Sequence, residues 1–177
     1  FCLTVEHARF MSEQFNRHGF RADYLVGEHD QSHREAVLSR LRTGELQVVF
    51  SVDVLGEGVD IPDVDTLLLC RPTQSPVLFA QQLGRGLRTA PGKTSCLVLD
   101  FIGQHRAEFR VHERFKALLD PTHGSLREQA ELEFPYLPAG CSIHLERVAR
   151  ERVLAALEAA TASRGVTGLT RDLVQLG

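Results

Sequence analysis

Long apolar runs are missing from this sequence, and nothing in it approaches the ~20 consecutive residues that a membrane-spanning helix requires. A basic start leading into an apolar stretch, the mark of a signal peptide, is missing too. Cysteine is scarce: Cys2, Cys70, Cys96 and Cys141 stand far apart, with no Cys-x-x-Cys pair. That spacing argues against a zinc ribbon or a disulfide framework, and for buried, reduced thiols at Cys70 and Cys96, which lie in apolar runs. Reduced thiols predict a cytoplasmic protein. Positive charge is not in excess either, since 20 Lys and Arg face 23 Asp and Glu, a net charge of −3. With no basic field over the molecule, any phosphate binding must come from arginines placed locally. Internal repeats and low-complexity tracts are also absent.

What is present is globular. Of 177 residues 43% are hydrophobic and 24% charged, and a chain this long buries about 70% of its unfolded surface when it folds. Phe1–Val5 reads as a buried strand with no initiator Met and no polar lead-in, so a piece of a longer polypeptide is expected. A helix over Glu6–His18 follows, with Ala8, Met11 and Phe15 on one face and Gly19 closing it. Ala22–Val26 is a second strand. Ser32-x-x-Glu35 has the form of a capping box for a helix burying Val37, Leu38 and Leu41 and stopping at Gly44.

Strands at 47–52, 66–70 and 95–100 then alternate with a helix that Ser75-Pro76 starts. The alternation predicts an α/β fold, a parallel sheet with helices on its faces and ligands at the carboxyl ends of its strands. Past Gly103 come a charged helix over 105–119, a break at 120–125, an amphipathic helix over 143–160 and a terminal helix over 166–176. The predicted division is one domain over 1–120 and the start of a helical accessory domain over 121–177.

Two segments carry chemistry. Gln81, Gly84, Arg85 and Arg88 are spaced to fall on one helix, with Gln81, Arg85 and Arg88 on one side. Gly84 and Gly86 flank Arg85 and would let a phosphate or another backbone approach, and guanidinium forks match phosphate oxygens. Upstream, Gly56-Glu-Gly-Val-Asp-Ile-Pro62 is a turn in which Gly58 admits a ligand and Asp60 can accept from a ribose hydroxyl or orient an arginine. Gly92-Lys93-Thr94 imitates the end of a P-loop, but position 87 is Leu, not Gly, and the segment leads into a strand instead of opening a helix. It reads as a turn. His29 and His33 have metal-ligand spacing with no third ligand, so no metal site is expected.

Gly56–Pro62 and Gln81-x-x-Gly-Arg-x-x-Arg88 resemble motifs V and VI of superfamily 2 helicases and translocases, in the second RecA-like domain of that family. The resemblance implies that Arg85 and Arg88 reach the γ-phosphate of an ATP held, with Mg2+, mainly by the first RecA-like domain, and that Gln81 lies beside it. It places Gly58, Asp60 and Gly84 on the nucleotide side. Thr4, Arg34, Ser51, Val52 and Asp53 are placed toward the nucleic-acid strand. Many relatives have Thr where this chain has Val52. Arg71-Pro-Thr-Gln-Ser75 and Leu99–Gly103 look most like bacterial members that act on DNA. The chain contains no P-loop and no Asp-Glu pair, so these 177 residues are expected to be inactive alone and to need the first domain of the same polypeptide. Two rivals stand beside this reading: a catalytically silent RecA-like scaffold, and a flavodoxin-like nucleotide enzyme, which would need a glycine-bearing phosphate loop that Thr4–Arg9 does not provide.

Overall fold

The computed structural model describes residues 1–54, 61–101, 113, 115, 118, 119, 121–137, 139 and 141–158. They belong to two compact units: Phe1–Pro72 with Ala80–Gly103, and Thr73–Phe79 with Gln104–Gly177.

In the first unit, helix α1 spans Val5–Arg17. The Thr4 hydroxyl accepts from the His7 N–H at 3.1 Å and caps it, and Glu6 sits in the first turn, where the helix dipole favours an anion. Gly19 ends the turn with φ +85°, a conformation that costs glycine little. Strand β1 (Ala22–Leu25), helix α2 (Gln31–Arg42) and strand β2 (Val48–Ser51) follow. β1 and β2 are parallel, with Ala22 opposite Val48 and Leu25 opposite Ser51.

The expected capping box at Ser32 is not used. Asp30 caps α2 by accepting from the His33 N–H at 2.7 Å, and Glu35 accepts from the Gln31 side chain. The helix starts two residues early because a carboxylate at the cap outcompetes a hydroxyl two residues further on.

Alternation along the strands divides the core. Ala22 and Phe50 face one cluster with Cys2 and Ala8, joined by Met11 and Phe15 of α1. Leu25 faces the other, with Val37 and Leu38 of α2, Leu46 and Ile61, and Val49 packs there too. Each fully buried Phe or Leu contributes about 1.5–3 kcal/mol. A sheet covered on both faces is what near-continuous apolar strands require.

Strand β3 (Thr66–Leu69) pairs in parallel with β4 (Leu97–Asp100), Leu67 opposite Val98, and α3 (Pro76–Gly84) lies between them in sequence. The two strand pairs are joined by Phe1 and Cys2. The Cys2 N–H donates to Ser51 O at 2.7 Å, the Phe1 nitrogen donates to Leu68 O at 2.7 Å, and the Cys70 N–H donates to Phe1 O at 3.0 Å. Donation from residue 1 to 68 and back from 70 to 1 is the parallel ladder pattern. Only Phe1 and Cys2 of the strand expected over 1–5 make these bonds, because Thr4 has already turned to cap α1. All carboxyl ends therefore emerge at one edge, carrying Thr4, Val52–Asp53 and Arg71.

In the second unit, Ser125 and Glu128 form a reciprocal capping box on α4 (Leu126–Glu131), and helix α5 covers 147–158. Phe115 packs against Phe79 and Phe134 with ring centroids 6.2 and 5.7 Å apart. Arg150 donates to Glu131 O at 2.6 Å, and Arg127 pairs with Glu131 and Glu158. Val153 of the expected apolar stripe is fully buried, whereas Val148 is exposed and Leu145 precedes the helix. The helices expected over 105–119 and 166–176 lie largely or wholly outside the described residues.

Candidate nucleotide and nucleic-acid interface

The Ser75 hydroxyl accepts from the Leu78 N–H at 3.2 Å and Pro76 opens α3, as the sequence dictates. Phe79 and Leu83 are buried and Gln81 is exposed. The helix stops at Gly84, however, and Arg85 and Gly86 form the turn that follows, their N–H groups donating to Gln82 O and Leu83 O at 3.2 and 3.0 Å. Arg88 therefore lies beyond the helix, and the expectation of Gln81, Arg85 and Arg88 on one helical face is corrected. Two glycines so close together weaken the helix by ~1 kcal/mol each, enough to end it.

What fixes the chain after α3 is Lys93, the lysine of the imitation P-loop. Its ammonium donates to Gly86 O at 2.6 Å, Arg88 O at 2.8 Å and Pro62 O at 2.9 Å. An ammonium has three protons, and all three are engaged. Lys93 thus binds the arginine-bearing turn to the end of the Gly56–Pro62 segment. The signal in the sequence was a lysine after Gly92, whose φ of +81° makes the turn.

The glycines differ in role. A methyl group on Gly86 would overlap Cys96 Sγ and the Leu67 side chain, so this glycine is required by packing against β3 and the approach to β4. Gly84 has open space around its missing Cβ, which leaves room beside Arg85. Arg85 lines a cavity of about 270 Å3 together with Asp63, Asp65, Val49 and Thr66. Gly58 and Asp60 lie outside the described residues.

At the carboxyl edge of the strands the residues expected to meet a nucleic acid are unequal. Ser51 is 1% exposed and its carbonyl is taken by Cys2, so its hydroxyl is not on the surface here. The Val52 N–H donates to Leu25 O at 3.2 Å and continues the ladder. The Thr4 hydroxyl caps α1, and the nearby Glu6 carboxylate is held below its ordinary pKa first by its own backbone N–H and then by the Thr4 side chain. In the first turn of α2, Arg34 donates to Gly27 O at 3.0 Å, and its buried Nε has no partner among the described residues. Asp53 has φ +54° and pairs with Arg71 at the end of β3. The sequence marks Lys93 only as part of a turn and Arg71 only within a resemblance to DNA-acting members, and assigns neither a role in the site.

His29 and His33 rings meet at 4.3 Å, edge to face. Among the described residues no three His, Cys, Asp or Glu side chains converge as a metal site would need, and no helix is long and apolar enough to cross a membrane.

Over residues 1–90 the chain matches the family described as helicase conserved C-terminal domain, and it belongs to that family. It is 40% identical over 126 residues, 71% of this chain and 20% of the relative, to the Irc3 protein of Schizosaccharomyces pombe, whose name provisionally describes a mitochondrial ATP-dependent helicase. It is 35% identical over 96 residues, 51% of this chain and 14% of the relative, to the UvrABC system protein B of Kosmotoga olearia. The chain thus spans a fifth or less of the length of these two relatives. The C-terminal domain of the DEAD-box protein Dbp5 superposes with a TM-score of 0.52 at 20% identity, over 66% of this chain and 63% of that one, and shows the shared fold. The mixed α/β fold with parallel strands is that of a RecA-like helicase C-terminal domain.

Proposed function

We propose that this domain is half of an ATP-dependent motor that moves along a nucleic acid, DNA in preference to RNA. The observation that carries the reading is the turn after α3, where Arg85 and Arg88 are held by Lys93 against the end of the Gly56–Pro62 segment. In this reading Arg85 and Arg88 face the γ-phosphate of ATP bound mainly by another RecA-like domain of the same polypeptide, and Gln81 orients the attacking water. The resemblance assigns Gly58, Asp60 and Gly84 to the nucleotide side of this site. Phosphoryl transfer develops charge on the transferred oxygens, and a guanidinium delivered there is worth on the order of 10³–10⁵ in rate. In this reading the Mg2+ that accompanies the ATP is held mainly by that other domain.

Closure onto ATP would draw the arginine turn toward the neighbouring domain and shift the strand ends at Thr4 and Asp53 along the phosphate backbone. Contacts to backbone rather than bases suit a sequence-independent motor. Four free cysteines fit a reducing compartment, and we place the protein in the cytoplasm.

The test is steady-state ATP hydrolysis by the full polypeptide, with and without single-stranded DNA, duplex DNA and RNA. Stimulation by DNA is expected, and Arg88→Ala should lower kcat at least about 100-fold. Turnover undiminished in Arg88→Ala would sink the assignment of that arginine. Absence of any ATP turnover in the wild type would favour the silent-scaffold reading.

A further inference from the structure

We propose that Arg71 is a phosphate contact of the nucleic-acid strand, kept occupied by Asp53 until a backbone phosphate displaces that carboxylate. The proposal rests on the motor reading above and adds to it a residue outside the recognised motifs. Asp53 itself carries the wrong charge for the strand-facing place that resemblance gives it, since a carboxylate repels phosphate.

The geometry points to its neighbour. Asp53 follows β2 and Arg71 follows β3, and the Phe1–Cys2 segment is hydrogen-bonded to both strands. Both therefore stand at the carboxyl edge of a parallel sheet, where ligands of such sheets bind. The Asp53 backbone is left-handed, φ +54°, a state that Asp tolerates better than most residues. Leaving the strand in this way, Asp53 brings its carboxylate to the Arg71 guanidinium.

The side chains are 67% exposed for Asp53 and 28% for Arg71. An ion pair this open to water is screened and weak. A backbone phosphate offers a guanidinium two oxygens in a matching fork, and its neutralisation releases condensed counterions. Exchange of one anion for the other is therefore favourable at low salt, and the position keeps a phosphate contact although Val52 has no hydroxyl. Until a strand arrives, the carboxylate keeps Arg71 from binding stray anions.

The test is binding of fluorescein-labelled single-stranded DNA by the full polypeptide, read by anisotropy over a range of salt. Arg71→Ala should weaken binding about 5- to 20-fold and lower the slope of log affinity against log salt by about 0.7, the value for one phosphate on a single strand. Asp53→Ala and Asp53→Asn should do the opposite and tighten binding about three- to fivefold at low salt. The double variant should match Arg71→Ala alone. A merely structural strut predicts weaker binding in both Asp53 variants, and that result overturns the proposal, as does an Arg71→Ala variant with unchanged affinity and slope. Arg71→Gln, with thermal melting of each variant, covers the case in which Arg71→Ala does not fold. Wild-type protein that binds neither DNA nor RNA would defeat the motor reading itself. Wild-type binding with no response to Arg71 defeats only this proposal.

Discussion

At the scale of single residues, the most informative side chain is Lys93. Its three bonds run to carbonyls on two segments far apart in sequence, Pro62 on one and Gly86 and Arg88 on the other. Lys93→Met keeps the stem and removes the donors. It should destabilise the domain by about 2–3 kcal/mol, since bonds to a charged donor are worth ~1.5–3 kcal/mol each and this site is only part-buried. It should also lower kcat for ATP more than it raises KM, with partial rescue by Lys93→Arg. Kinetics and chemical denaturation of the three proteins check this, and unchanged kcat in Lys93→Met would remove Lys93 from the motor. The two glycines make a matched pair. Gly86→Ala should cost about 1–3 kcal/mol through overlap with Cys96 and Leu67. Gly84→Ala fits in open space and should be neutral or stabilising by up to about 1 kcal/mol. Loss of ATP turnover in a stable Gly84→Ala protein would mark Gly84 as the place where a ligand needs the missing methyl.

At the scale of elements, α4 provides a titration. Glu128 accepts from the Ser125 N–H at 2.7 Å, and that bond first, then the Ser125 hydroxyl, hold its pKa below the ordinary Glu value. A depressed carboxylate pKa stabilises the folded helix start at pH values above the unfolded pKa. That contribution is lost as pH falls through the folded value. Protection of the Glu128 and Gln129 amides, taken relative to their intrinsic exchange rates at each pH, should thus fall on acidification, and Glu128→Gln should flatten the response. The elements were also where the sequence was most readable. Helix periodicity found α1 and α2 within two residues because Ala8, Val37 and Leu38 are buried for the reason the pattern assumes. Apolar runs found β2, β3 and β4. The misreadings came from competition between local signals. Asp30 captured the cap that Ser32 seemed to offer. The helix carrying Gln81 ended at Gly84 because two glycines and a distant lysine favoured a turn, which no i, i+4 count can reveal. Arg71 pairs with a residue 18 positions away, and that too is invisible until β2 and β3 flank the Phe1–Cys2 segment.

At the scale of the whole molecule, the four free thiols differ in what surrounds them. Burial pushes the Cys2 thiol up to about 11 and raises Cys70 and Cys96 as well, whereas Cys141 is exposed. Because the thiolate is the reacting species, iodoacetamide at neutral pH should modify Cys141 first and Cys2 only after unfolding. Mass spectrometry of a time course checks this, and early labelling of Cys2 would show that the sheet opens around Phe1 and Cys2.

That pairing also dictates an order of assembly. Phe1 and Cys2 bond to residues 51, 68 and 70, so the first residues of this domain to leave the ribosome are among the last to find their neighbours. Pairings so distant in sequence carry a loop-closure cost that must be met before they reward it, and they fold slowly. During synthesis α1 can form beside β1 and β2 once about residue 52 has emerged. The Leu67–Leu69 strand then has to arrive before the N-terminal segment is held on both sides. Until it does, the facing edges of β2 and β3 stay open to other extended chains. A nascent chain stalled between residues 52 and 70 is therefore the species in which chaperone dependence should be greatest.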